Sequence, residues 1–143
     1  MSEPKVLLVD DEEEFTRTLA ERMQARGLEV DVSGDGADAV RRAQGTAYDA
    51  VILDLAMPGL DGIATLKLLL AQNPDLQVML LTGHATLEKG VEAVKSGAIE
   101  FLEKPIDLDL LLGKIQEARQ KGQKLREKRI AESLDDILRS KGW

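Results

Sequence analysis

Apolar and polar positions follow two rhythms along this chain. The runs VLLV (6–9), AVIL (50–53) and VMLL (78–81) are continuously apolar. Such short runs suit strands of a parallel sheet buried on both faces. LEVDV (28–32) alternates instead, which predicts an edge strand, and IEFL (99–102) reads as a short fifth strand. Between them the apolar period lengthens to that of a helix. Phe15, Leu19 and Met23 make one stripe over 13–26, and Ala39, Val40 and Ala43 another over 36–44. Ile63, Leu66, Leu69 and Leu70 do the same over 62–72, and Leu87, Val91 and Val94 over 86–96. Each stripe predicts a helix with one buried face.

Punctuation supports this division. Gly27, Gly45 and Gly97 stand just past three of the helical segments, where a left-handed C-cap is expected. Asp107 stands where a last helix needs an N-cap. That helix has Leu108, Leu111, Leu112, Ile115 and Ala118 as its core stripe. Gly122 is expected to end or loosen it, at a cost of about 1 kcal/mol. Beyond it, Ile130, Leu134, Ile137 and Leu138 recur at helical spacing. Five strand–helix units in strict alternation predict an α/β fold, a doubly wound five-stranded parallel sheet with helices on both faces and a C-terminal helical extension. The expected organisation is one domain over 1–121 and an amphipathic extension over 122–143.

Composition narrows the class. The chain has 143 residues, 43% hydrophobic and 31% charged, enough to bury a core. With no Cys, disulfides and Cys-ligated metals are excluded, which fits a reducing, cytoplasmic setting. No apolar run approaches the ~18–20 residues that span a bilayer, so no membrane partner is expected. The net charge of −7 is uneven. Residues 1–113 carry 10 Lys/Arg against 21 Asp/Glu, whereas 114–143 carry 9 against 5. A body this acidic is a poor binder of nucleic acid, because phosphate contacts need Lys and Arg. The basic run over 119–129 reads as a solvated linker face, with nucleic-acid contact as the lesser alternative.

In such a sheet, sites form beyond the C-terminal ends of the strands. There the first strand ends in Asp10-Asp11, the third in Asp54 and the fourth in Thr82, and the fifth is followed by Lys104-Pro105. Two like charges ~4 Å apart cost on the order of 4 kcal/mol at an effective dielectric of 20. Protonation, a nearby Lys or a cation must offset that repulsion. An all-oxygen, carboxylate-rich pocket suits Mg²⁺. Glu12, Glu13 and Glu14 follow in the first turn of a helix, where acids favour the positive end of its dipole. Read individually, Asp10-Asp11 and Thr82 could each be a helix cap, Asp54 a turn residue and Lys104 a surface lysine.

Together the segments carry a resemblance. LLVDDEEEF (7–15), VILDLAMPGLDG (51–62), LLTGHA (80–85) and FLEKP (101–105), in this order, resemble the receiver domain of bacterial two-component response regulators over roughly residues 4–121. The resemblance implies the flavodoxin-like strand order 2-1-3-4-5. It implies Asp54 as phosphoacceptor from a sensor histidine kinase or phosphotransfer protein. It implies Mg²⁺ held by Asp10, Asp11, Asp54 and the backbone carbonyl of Ala56. Lys104 and Thr82 would bind phosphoryl oxygens, and the Lys104–Pro105 peptide would be cis. Thr82 and Phe101 would form a switch, although Phe101 reads equally well as a core residue. Ala56 and His84 would flank the phosphoryl group and tune its hydrolysis. The switched face, made by the fourth helix, fifth strand and fifth helix, would meet a downstream protein target or a second copy. The protein is not expected to be an enzyme beyond assisting its own phosphorylation and dephosphorylation.

Two other chemistries fit poorly. A phosphoaspartate hydrolase of the haloacid-dehalogenase type needs a second Asp two residues after the nucleophile, where Ala56 stands. A flavodoxin-type carrier needs a phosphate loop where DDEEE would repel the phosphate. A stand-alone receiver is expected, with the receiver portion of a larger DNA-binding regulator as the alternative. The extension's apolar stripe could dock on its own domain, a second copy or a partner.

Overall fold

The computed structural model describes residues 3–55, 57, 61–83 and 87–140, with Leu87 by its backbone alone. Five strands alternate with five helices: β1 (Lys5–Val9), α1 (Glu13–Ala25), β2 (Glu29–Ser33), α2 (Gly36–Gly45), β3 (Ala50–Leu53), α3 (Gly62–Gln72), β4 (Val78–Thr82), α4 (Leu87–Lys95), β5 (Glu100–Glu103) and α5 (Leu108–Ser140). All pairings are parallel, in the order β2-β1-β3-β4-β5. β2 is therefore an edge strand, as its alternation predicts, and the first, third and fourth strands are the inner ones.

The apolar runs supply both faces of the sheet because successive side chains point oppositely. Val6, Leu8, Ala50, Ile52, Met79 and Leu81 meet α1 and α5 through Leu19, Met23, Leu111 and Ile115. Leu7, Val9, Val51, Leu53, Val78 and Leu80 meet α2, α3 and α4 through Ala39, Leu66, Leu69 and Ala93. A one-residue slip of any inner strand would exchange its partners between these layers.

The caps divide. Gly27 (φ 93°) and Gly97 (φ 109°) adopt the left-handed conformation after α1 and α4. Each donates its N–H to the carbonyl three residues back, Gln24 or Val94, while the next residue donates to the carbonyl of Met23 or Ala93. Gly45 does not: it is the last residue of α2, and the chain leaves directly through an extended Thr46. Asp107 caps α5 by accepting from the N–H of Asp109 at 2.9 Å.

Two further expectations are corrected. The inward face of α4 is not the Val91–Val94 stripe: those side chains are 44% and 55% exposed, while Ala93 is fully buried. Small residues let the helix approach closely, and a Cβ on Gly90 would lie 3.4 Å from the Phe101 ring. Nor does α5 break at Gly122. It runs unbroken for 33 residues, roughly 50 Å. It passes the N-terminal ends of β3 and β4, where Arg119 lies 3.9 Å from Asp49 and Arg129 pairs with Asp75. These ties help offset the cost of one helical glycine. Ile130, Leu134, Ile137 and Leu138 remain exposed, so the stripe does not dock on its own domain. Among the described residues, no helix is long and apolar enough to cross a membrane.

Candidate functional site

The site lies where the sheet order reverses, at the C-terminal ends of β1 and β3. Backbone hydrogen bonds continue past the strands and set its geometry. The Asp10 N–H donates to the Ser33 carbonyl at 3.0 Å, and the Asp54 N–H to the Val9 carbonyl at 2.9 Å. Both carboxylates are thereby carried into the interior, with Asp10 5% and Asp54 3% exposed. One strand further, the Lys104 N–H donates to the carbonyl of Thr82, which is fully buried. The Lys104–Pro105 peptide is cis.

The Lys104 side chain crosses this rim. Its Nζ lies 2.6 Å from Asp10 Oδ2, 3.1 Å from Glu12 Oε1 and 3.9 Å from Asp54 Oδ2. It also stands 4.1 Å above the centroid of the Phe15 ring, a cation–π distance. Burial pushes the Asp10 carboxyl up, against the lowering effect of the Lys104 hydrogen bond. Burial also opposes the charge on Lys104, but the hydrogen bonds from its ammonium to Asp10 and Glu12 outweigh it and raise its pKa. The ammonium is therefore charged at neutral pH and offsets the repulsion among the carboxylates.

Oxygens of Asp10, Glu12 and Asp54 lie within 4.8 Å of one another. This all-carboxylate set fits a hard divalent cation better than a soft one. Asp11, implied as a direct metal ligand, is exposed and outside this group. Glu12, read from the sequence only as a helix-dipole charge, is inside it. The Asx turn closed by Glu12 N–H to Asp10 Oδ1, 2.9 Å, returns the chain toward the site at residue 12. Ala56 and His84 lie outside the described residues. Phe101 is half-buried against the α3–α4 side of the core, which places it without deciding whether it moves.

Two contributors were not singled out from the sequence. Phe15 was read as core, yet its ring face receives Lys104. Gly62 lets α3 begin against β3: a Cβ there would lie 2.5 Å from Leu55 Cα and 2.6 Å from the Asp54 carbonyl oxygen. The Asp61-Gly62 pair carried that signal, as an N-cap followed by a residue with no side chain.

The comparisons agree with this geometry. The response regulator receiver domain model matches residues 6–116. The transcriptional regulatory protein PrrA of Mycobacterium leprae is 34% identical over 116 residues, covering 81% of this chain and 50% of PrrA. The chain spans half or less of the length of the curated relatives it matches first. A response regulator receiver domain protein from Clostridium thermocellum superposes with TM-score 0.81 at 30% identity, covering 85% of this chain and 98% of that one. A response regulator protein from Burkholderia pseudomallei, solved with a phosphorylated aspartic acid, a calcium ion and citrate, has TM-score 0.75 at 27% identity, covering 91% of this chain and 75% of that one. From the strand order to the acidic rim, this chain belongs to the response regulator receiver domain family.

Proposed function

We propose that this chain accepts a phosphoryl group on Asp54 from a histidine of a sensor histidine kinase or phosphotransfer protein. The carrying observation is a deeply buried Asp54 on the same rim as Asp10, within 3.9 Å of the Lys104 ammonium. An Asp54 Oδ attacks phosphorus, the O–P bond forms as the N–P bond to the donor imidazole breaks, and the imidazole takes up a proton from water. Lys104 pairs with a phosphoryl oxygen, and the Thr82 hydroxyl donates to another. Asp10 and Asp54 would hold Mg²⁺, with Asp11 joining them as the resemblance implies, while Glu12 stays paired with Lys104. Bound there, the ion supplies charge neutralisation for the transferring group. The protein's share is positioning and electrostatics, so the chain is a phosphoacceptor that assists its own reaction rather than an enzyme acting on others. The phosphorylated aspartic acid of the Burkholderia pseudomallei relative supports this reading.

The output is a population shift. Phosphorylation draws Thr82 toward Asp54, and Phe101 follows into the space it leaves. This biases the α4–β5–α5 face toward a downstream protein or a second copy, in the cytoplasm. A second reading makes the chain the receiver part of a larger DNA-binding regulator, favoured by the greater length of its relatives. A helix-turn-helix segment in a longer natural chain would establish it. The primary reading is tested by intact-protein mass after incubation with acetyl phosphate and Mg²⁺. One added phosphoryl group is expected, absent in Asp54→Ala and without metal. If no mass is gained and beryllium fluoride does not bind either, phosphoacceptance is refuted.

A further inference from the structure

The Lys104 ammonium is held mainly by one short segment. Asp10, Glu12 and Phe15 all belong to the β1–α1 connection and first helical turn. Asp10 takes the ammonium at 2.6 Å, Glu12 at 3.1 Å, and the Phe15 ring lies beneath it at 4.1 Å. Glu12 is the extended N-cap residue of α1 and Phe15 lies in the first turn that follows. Asp54, from a different strand, stands further off at 3.9 Å. Among the described residues, the ion pairs of Lys104 are with these three acids, and Glu13 and Glu14 are not among them.

We infer that Glu12 is a positioning residue for Lys104: with Asp10 and the Phe15 ring it holds the ammonium on the β1–α1 side of the site, nearer to them than to Asp54. Its kinetic consequence rests on the phosphoacceptor reading above. A phosphoryl group on Asp54 must draw Lys104 toward β3, and that movement loosens the Glu12 pair. Asp10 is buried beside Asp54 and stays within reach of the ammonium on either side. Glu12 is 60% exposed, so it pulls the ammonium toward the solvent edge of the rim, whereas Asp54 is buried. Glu12 therefore sets the resting position of Lys104 and opposes its transfer to the phosphoryl group.

The test uses the full chain with Glu12→Gln and, as the control for loss of a neighbouring negative charge, Glu13→Gln. Nitrogen-15 NMR of the lysine ammonium groups, in chelator and at low temperature, reads how tightly Lys104 is held. Glu12→Gln is expected to speed proton exchange at Lys104 on the order of threefold, the weight of one exposed ion pair. Glu13→Gln is expected to leave it unchanged. With saturating Mg²⁺, acetyl phosphate should label Glu12→Gln about threefold faster than wild type. Unchanged Lys104 exchange in Glu12→Gln, or an equal change in Glu13→Gln, overturns the inference. Faster exchange with an unchanged labelling rate overturns its kinetic half. If wild type takes no phosphoryl group at all, the functional reading fails, and the ammonium measurement still decides whether Glu12 positions Lys104.

Discussion

Gly62→Ala tests how the site is built. The added Cβ would sit 2.5 Å from Leu55 Cα and 2.6 Å from the Asp54 carbonyl oxygen, and 3.1 Å from Leu55 C. Carbon atoms in contact prefer ~3.5–4.0 Å, so the shortfall is about 1 Å against backbone atoms. No side-chain rotation relieves it, and α3 must move away from β3. Overpacking of this kind costs about 1–3 kcal/mol, and backbone on both sides argues for the upper part. Replacing a helical glycine by alanine contributes up to ~1 kcal/mol in the other direction. The net expectation is a loss of about 2 kcal/mol, or a melting temperature lower by about 7 °C for a chain of this size. Because Asp54 carries the contacted carbonyl, labelling by acetyl phosphate should slow as well. Urea denaturation and intact mass read the two effects. A Gly62→Ala protein as stable as wild type would refute the close approach of α3 to β3.

Gly122→Ala should act oppositely, since its Cβ would meet Gln77 Cγ at an ordinary 3.7 Å inside a continuous helix. A gain of about 0.5–1 kcal/mol is expected in thermal melts, and a loss would refute the unbroken α5. Lys104→Met leaves Asp10 and Asp54 buried without the ammonium. Stability in chelator at neutral pH should fall by about 3 kcal/mol and largely return with Mg²⁺; melts with and without the ion check this. Tyr48 ionises late: burial first, then its hydrogen bond to Asp31, pushes it up to about 12. The folded state holds the proton more tightly, so the contribution is present below pH ~10 and is lost as pH rises toward 12. As Tyr48 is the chain's only tyrosine, absorbance near 295 nm reports it directly, and ionisation near pH 10 would refute the buried pair.

Much of this molecule was legible in its sequence. Continuous apolar runs such as Val6–Val9 satisfy two core layers at once, so they define inner parallel strands without reference to any neighbour. Strand ends follow, and with them the rim on which Asp10, Asp54, Thr82 and Lys104 meet. Gly27 and Gly97 were readable because the left-handed conformation is a local property of backbone. What escaped depends on distances between segments far apart in the chain. Val91 and Val94 outrank Gly90 and Ala93 in hydrophobicity, yet the smaller pair faces the sheet, because α4 packs closely on Phe101. Gly122 lowers local helix propensity, yet α5 continues, tied by Arg119 and Arg129 to acids at the far end of the sheet. Glu12 is one of five consecutive acids, indistinguishable by charge from its neighbours. Only the turn after β1, and a lysine arriving from 92 residues away, select it for the site.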